Sequence, residues 1–161
     1  MMSFGDSIGE CFFNYMNFRD RAARAEYWWW LLFAVVVAVI AWVLDFLIFR
    51  GWEVGPFQLV TALALLFPGL SVSVRRLHDT NRSGWWILLL IALSILVVVG
   101  AIAAAAANPF NPISGPGLLF IGVPFVVLLA FAILYVVWLV LPSNPGNNRY
   151  GPNRYATDKK A

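Results

Sequence analysis

The sequence predicts an all-α polytopic membrane protein. Four transmembrane helices follow a short N-terminal amphipathic helix at the interface, in a single membrane domain covering residues 1–161. Three observations predict it. Hydrophobic residues make up 61% of the chain and charged residues only 12%, where a soluble domain carries about a quarter charged residues; the mean hydropathy is +0.79. Four apolar stretches are long enough to cross a hydrocarbon core of roughly 30 Å at about 1.5 Å of rise per residue. Ten of the 11 Lys and Arg residues fall on one side of those stretches.

The elements follow in order. Phe4, Ile8, Phe12 and Tyr15 recur at helical spacing between Phe4 and Phe18, with Asp6, Glu10, Asn14 and Asn17 elsewhere. That spacing predicts a helix lying in the interface. The first span, 27–49, is interrupted only by Asp45. The second, 57–74, contains Pro68-Gly69 and is only just long enough to cross. The third, 85–107, and the fourth, 118–141, carry no charge. Pro124 predicts a kink in the fourth, which neighbouring helices can accommodate. Arg50 to Pro56 and Asn108 to Gly117 are short Gly/Pro-rich connections, and residues 142–161 form a tail without periodicity. Gly69 and Ser73, like Ala101 and Ala105, stand four apart, a spacing that lets helices approach closely.

Orientation follows from the basic residues. Arg19, Arg21 and Arg24 precede the first span, Arg75, Arg76 and Arg82 lie between the second and third, and Arg149, Arg154, Lys159 and Lys160 follow the fourth. Only Arg50 falls on the other side. The positive-inside rule makes the basic side cytoplasmic, and an even number of spans puts both termini there. Asp6 and Glu10 precede any basic residue, the reverse of a signal-peptide n-region, so the first span is expected to be retained as an anchor. Cys11 is the only cysteine, which excludes an intrachain disulfide; its expected role is apolar filling. With one His and one Cys, no metal site or cofactor is expected.

Three polar clusters abut the basic ends of the spans. The first carries Arg21, Arg24, Glu26, Tyr27 and Trp28. The second carries Arg75, Arg76, His78, Asp79, Ser83, Gly84, Trp85 and Trp86, and the third Gly146, Asn148, Arg149, Tyr150 and Gly151. These motifs resemble those of domain of unknown function 805, the YhaH/YhaI-like bacterial inner-membrane proteins, over nearly the whole chain. One departure is visible, because Asp20 stands where that family has Gly before its first motif Arg. The resemblance implies a multi-pass location in the bacterial inner membrane. It supplies no reaction.

Read physically, Asp79 is placed to meet Arg76 at i,i+3 or Arg75 at i,i+4 if the second helix continues past the span. Glu26 is a cross-helix partner for either arginine. Ser83 is expected to cap the third transmembrane helix, and Trp85 and Trp86 to anchor it at headgroup level. One reading makes these groups staples that tie the helix ends together. Another counts Arg21, Arg24, Arg75, Arg76 and Arg82 against Glu26 and Asp79, which leaves guanidinium forks for a phosphate or carboxylate. The expectation drawn is a non-enzymatic membrane protein whose rim binds an anionic lipid headgroup, a small anion or a protein partner. The set is Arg21, Arg24, Glu26, Arg75, Arg76, His78, Asp79, Arg82, Ser83, Trp85, Trp86, Asn148 and Arg149. Adjacent His78 and Asp79 point in different directions on a helix and make no ready triad with Ser83. The alternative is a small oligomeric transporter or channel. Asp45, the intramembrane charge, is the pointer to it, although an ion pair with Arg50 at the membrane boundary is the plainer expectation. A homo-oligomer is compatible with the sequence, and nucleic acid is not an expected partner.

Overall fold

A computed structural model describes residues 2–50, 55–107 and 115–153. Those residues contain five helices: α1 (Phe4–Phe13), α2 (Arg24–Ile48), α3 (Pro56–Asp79), α4 (Trp86–Ala107) and α5 (Pro116–Val140). The last four are long and apolar enough to cross a membrane. The chain is therefore all-helical with four membrane-length helices, as its composition predicts. Most of the Asn108–Gly117 connection, part of the Arg50–Pro56 hairpin, and Arg154, Lys159 and Lys160 of the tail lie outside the described residues. The chain divides into two compact units, 1–82 with 142–161, and 83–141.

In the first unit α1 is set by a capping box. The Ser3 side chain accepts from the Asp6 amide at 3.2 Å, and the Asp6 carboxylate returns the bond to the Ser3 amide at 3.3 Å. Hydrogen bonds from the Ser3 side chain and then its amide lower the Asp6 carboxyl below its ordinary value. The helix stops at Phe13, short of the expected Phe18. Its buried stripe is Ser7, Cys11 and Asn14, not the aromatic one. Phe4 and Phe12 lie along the border of that contact, edge-on to Trp29 and Trp30. Small side chains on the inner stripe let α1 sit close against α2 and α3, which leaves Phe4 and Phe12 partly exposed and Phe13 almost fully so.

The helix α3 runs five residues past the sequence-predicted end at Val74, through both arginines to Asp79. Pro68 does not interrupt it. A helical proline has no N–H for the carbonyl four residues back, which here is Ala64. The Tyr15 hydroxyl donates to that carbonyl at 2.8 Å, replacing the missing bond. Tyr15→Phe is therefore expected to destabilise by about 1 kcal/mol, read as a lower melting temperature in detergent. In a Pro68→Ala background, where an amide returns to Ala64, the same substitution should have little effect.

The N-terminus of α3 explains Asp45. Pro56 occupies the first helical position and needs no acceptor. Asp45 of α2 accepts from the next two amides, Phe57 N–H at 3.1 Å and Gln58 N–H at 2.8 Å. Gly55 leaves the room, because a Cβ there would land on the Asp45 carboxyl group. The expected Asp45–Arg50 ion pair does not form: Arg50 is exposed, and the buried carboxylate serves as a cap donated by a neighbouring helix. A negative charge at a helix N-terminus is also favoured by the helix dipole.

In the second unit α4 and α5 pack as an antiparallel hairpin. Trp86 meets Trp138 and Phe131 at one end, with ring centroids 5.4 and 5.9 Å apart. Toward the other end Gly100 lies directly against the Phe120 carbonyl. The buried small residues of α4 are Gly100 and Ala104, one residue out of register from the expected Ala101 and Ala105. Ser83 accepts from the Trp85 amide at 3.4 Å and makes a turn ahead of α4, which begins one residue later than predicted.

Candidate functional site

The basic end of the first unit holds a buried ionic network built from three segments. Helix α3 contributes Arg75, Arg76, His78 and Asp79, the stretch entering α2 contributes Arg21 and Glu26, and the C-terminal strap 142–153 closes over them. Arg21, Glu26, Arg75, Arg76 and Asp79 are all at most 2% exposed. Charges removed from water so completely are tolerated only when paired and hydrogen-bonded, and the pairs are specific. Arg75 donates to Glu26 at 2.5 Å. Arg76 pairs with Asp79 Oδ2 three residues on, and Arg21 pairs with Asp79 Oδ1 at 2.9 Å. Of the two partners open to Asp79 from spacing, the structure selects Arg76 and leaves Arg75 to Glu26.

Arg21 does more than balance charge. Its remaining N–H groups donate to the carbonyls of Asn144 at 2.7 Å, Gly146 at 2.8 Å and Gly151 at 3.3 Å. One guanidinium thus gathers the strap, using the full fork that a lysine lacks. The strap reciprocates: Asn144 N–H donates to Asp79 O at 3.2 Å and the Asn148 amide donates to His78 O at 2.8 Å. The Tyr150 ring stacks on His78, centroids 3.7 Å apart and 4° from parallel. Asn148 and Gly151 close a tight turn, in which Gly151 takes φ +123, a conformation open to glycine. Each residue of Asn-Arg-Tyr-Gly therefore has a local contact: exposed Arg149 lies over the Tyr150 ring at 4.7 Å and donates to Asn81 O at 3.5 Å.

The other side of the network explains Cys11 and Asp20. Cys11 is fully buried with its Sγ 3.9 Å from Glu26 Oε1. Burial, then the Glu26 charge, pushes its thiol up to about 12, so it is an inert filler. Asp20 accepts from the Asn17 side chain at 2.7 Å, and its backbone carbonyl lies 3.3 Å from His78 Nδ1.

The arginines thus divide. Arg21, Arg75 and Arg76 are buried inside the network, where Arg75 spends Nη1 on Glu26 and keeps a buried Nη2 without a hydrogen-bond partner. Arg82 is half-buried and donates to Thr80 O at 3.1 Å. Arg19 and Arg24 are exposed, with no side-chain acceptor among the described residues. Arg24 opens α2, whose N-cap Ala23 supplies no side-chain hydrogen bond. Trp28, Leu31, Leu32 and Val35 continue its exposed stripe down the helix. Ser83, Trp85 and Trp86 belong to the second unit and are not part of this network. Sequence reading missed Arg19 as a free cation, and missed the strap carbonyls because backbone acceptors leave no compositional trace.

Residues 15–152 match the family described as "Protein of unknown function (DUF805)". The chain belongs to this family. Among curated relatives, Inner membrane protein YhaH of Escherichia coli (strain K12) is 32% identical over 108 residues, 62% of this chain and 88% of that protein. Inner membrane protein YhaI of the same strain is 41% identical over 76 residues, 47% of this chain and 63% of that one. No solved structure matches. With four membrane-length helices and inner-membrane relatives, this DUF805 protein is a multi-pass inner-membrane protein.

Proposed function

We propose that this DUF805 protein is a non-enzymatic membrane protein that binds the phosphate of anionic phospholipid headgroups at its cytoplasmic rim, with both termini on that side. The observation that carries the reading is Arg24. It heads the exposed stripe of Trp28, Leu31, Leu32 and Val35 on α2 and has no acceptor among the described residues. A guanidinium at the top of an apolar stripe extends to the headgroup layer. There it meets an anion beside a helix N-terminus without a side-chain cap, whose amides and dipole favour negative charge. Arg19 adds a second exposed cation on the same connecting segment.

The buried members of the sequence-predicted set take a supporting role in this reading. Arg21, Arg75 and Arg76 hold the rim together, and Arg24 and Arg19 face the ligand. The transporter alternative loses its best pointer, since both oxygens of Asp45 are occupied by α3 amides.

The test is binding in nanodiscs by native mass spectrometry, with phosphatidylglycerol competing against phosphatidylcholine. Wild type is expected to retain the anionic lipid. Arg19→Gln/Arg24→Gln should lose about tenfold of that preference while melting within about 2 °C of wild type, as exposed substitutions do. Equal retention of the two lipids by wild type, or an unchanged preference in the variant, overturns the proposal.

A further inference from the structure

Among the described residues, one buried side-chain nitrogen has no hydrogen-bond partner: Nη2 of Arg75. The five N–H groups of a guanidinium are fixed in one plane, so the bonds made by its other nitrogens hold Nη2 in place. Nη1 donates to Glu26 Oε1 at 2.5 Å, and Nε donates to Ser71 Oγ at 3.4 Å. The Ser71 hydroxyl is itself turned to the carbonyls of Asn14 and Asn17, at 2.8 and 2.7 Å. Cys11, Glu26 and Ser71 are each 0% exposed, so α1 and the turn after it close over this edge of Arg75.

Charge is out of balance in the same place. The enclosed charges of the network are three guanidinium groups, Arg21, Arg75 and Arg76, against two carboxylates, Glu26 and Asp79. One positive charge is left over. Both oxygens of Asp79 serve Arg21 and Arg76, and strap carbonyls take the other N–H groups of Arg21. Glu10 and Asp20 sit half-buried outside the enclosure, each bonded to an Asn side chain. Buried charges are tolerated when counter-charge and hydrogen bonds are both complete. At Nη2 the network falls short of both.

We propose that Arg75 Nη2 marks an internal site for a small monovalent anion of chloride size. A water molecule there would complete the hydrogen bonding but leave the charge. A phosphate or lipid headgroup is too large for an edge closed by fully buried side chains. The site is separate from exposed Arg24 and goes beyond lipid binding there. It makes an anion part of the folded rim.

Anion exchange on the whole protein in detergent tests the proposal. At equal ionic strength, replacing gluconate by chloride should raise the melting temperature by about 3 °C or more. The rise should saturate, as binding to the folded state requires. Arg75→Lys keeps a charge beside Glu26 and removes the fork, so its rise should fall below about 1 °C. Arg19→Gln/Arg24→Gln should keep the full rise. In wild-type crystals grown with bromide, an anomalous scattering peak is expected within hydrogen-bonding reach of Nη2. Equal melting in gluconate and chloride overturns the proposal, as does a rise lost in Arg19→Gln/Arg24→Gln or kept in Arg75→Lys. Solvent density at Nη2 without a bromide signal, the pattern of a bound water, overturns it too. Should Arg75→Lys fail to fold, the bromide peak in wild type decides.

Discussion

Asp79→Ala is expected to cost the protein more stability than any other single charge removal. Asp79 pairs with both Arg21 and Arg76, one at each oxygen. Its loss leaves two guanidinium groups facing each other in a site at most 2% exposed. Removing one partner of a buried pair typically costs about 3–5 kcal/mol, a large part of a total stability of about 5–15 kcal/mol. A fall in melting temperature of about 10 °C or more is expected for a chain of this size. The strap should loosen as well, because Arg21 is held in place by Asp79 while it gathers the carbonyls of Asn144, Gly146 and Gly151. Limited proteolysis within residues 142–153 should therefore accelerate in Asp79→Ala. A variant that melts within 2 °C of wild type with an unchanged cleavage rate would show that the network does not hold the rim.

The same residues mark what a sequence makes legible. Four spans and their connectivity were readable because burial in lipid demands long uninterrupted apolar runs, and helices are the local solution to that demand. Arg76–Asp79 was readable because it is a helical neighbour pair, and Glu26 was correctly named as a cross-helix partner. The choice between Arg75 and Arg76 was not readable, because it depends on the rotation of α3 against α2. Asp45 was seen as an anomaly but misassigned to Arg50, since a cap contributed by a different helix has no sequence signature at the capped end beyond Pro56. The Arg21 carbonyl cage and the Tyr15–Ala64 bond were hidden for a related reason: both use backbone oxygens, which every residue carries. The count of five cations against two acids was right as arithmetic. Burial then divides the five: Arg21, Arg75 and Arg76 lie inside the network, while Arg24 stays exposed.

The second large effect is expected at Gly100. Pro124 of α5 has no N–H for the carbonyl four residues back, which is Phe120. That carbonyl lies directly against Gly100 of α4, so close that a Cβ there would overlap it. The lipid phase gives an orphaned carbonyl no water to turn to, and a glycine Cα–H is a weak donor that fits this approach. Gly100 and buried Ala104 thus let α4 close onto α5 at this carbonyl. Gly100→Val has to drive the helices apart, losing packing along the hairpin and leaving the carbonyl in lipid. Overpacking costs about 1–3 kcal/mol, so a melting temperature lower by about 5 °C is expected. Gly122→Val is the control on the facing helix, since a Cβ there meets only the Leu118 side chain at 3.9 Å. It should melt within about 2 °C of wild type, as substitutions that meet no obstacle do. If both variants fall equally, the loss comes from valine in a helix and the close approach at Gly100 is not its cause. If only Gly100→Val falls, the site of contact is the carbonyl that Pro124 sets free.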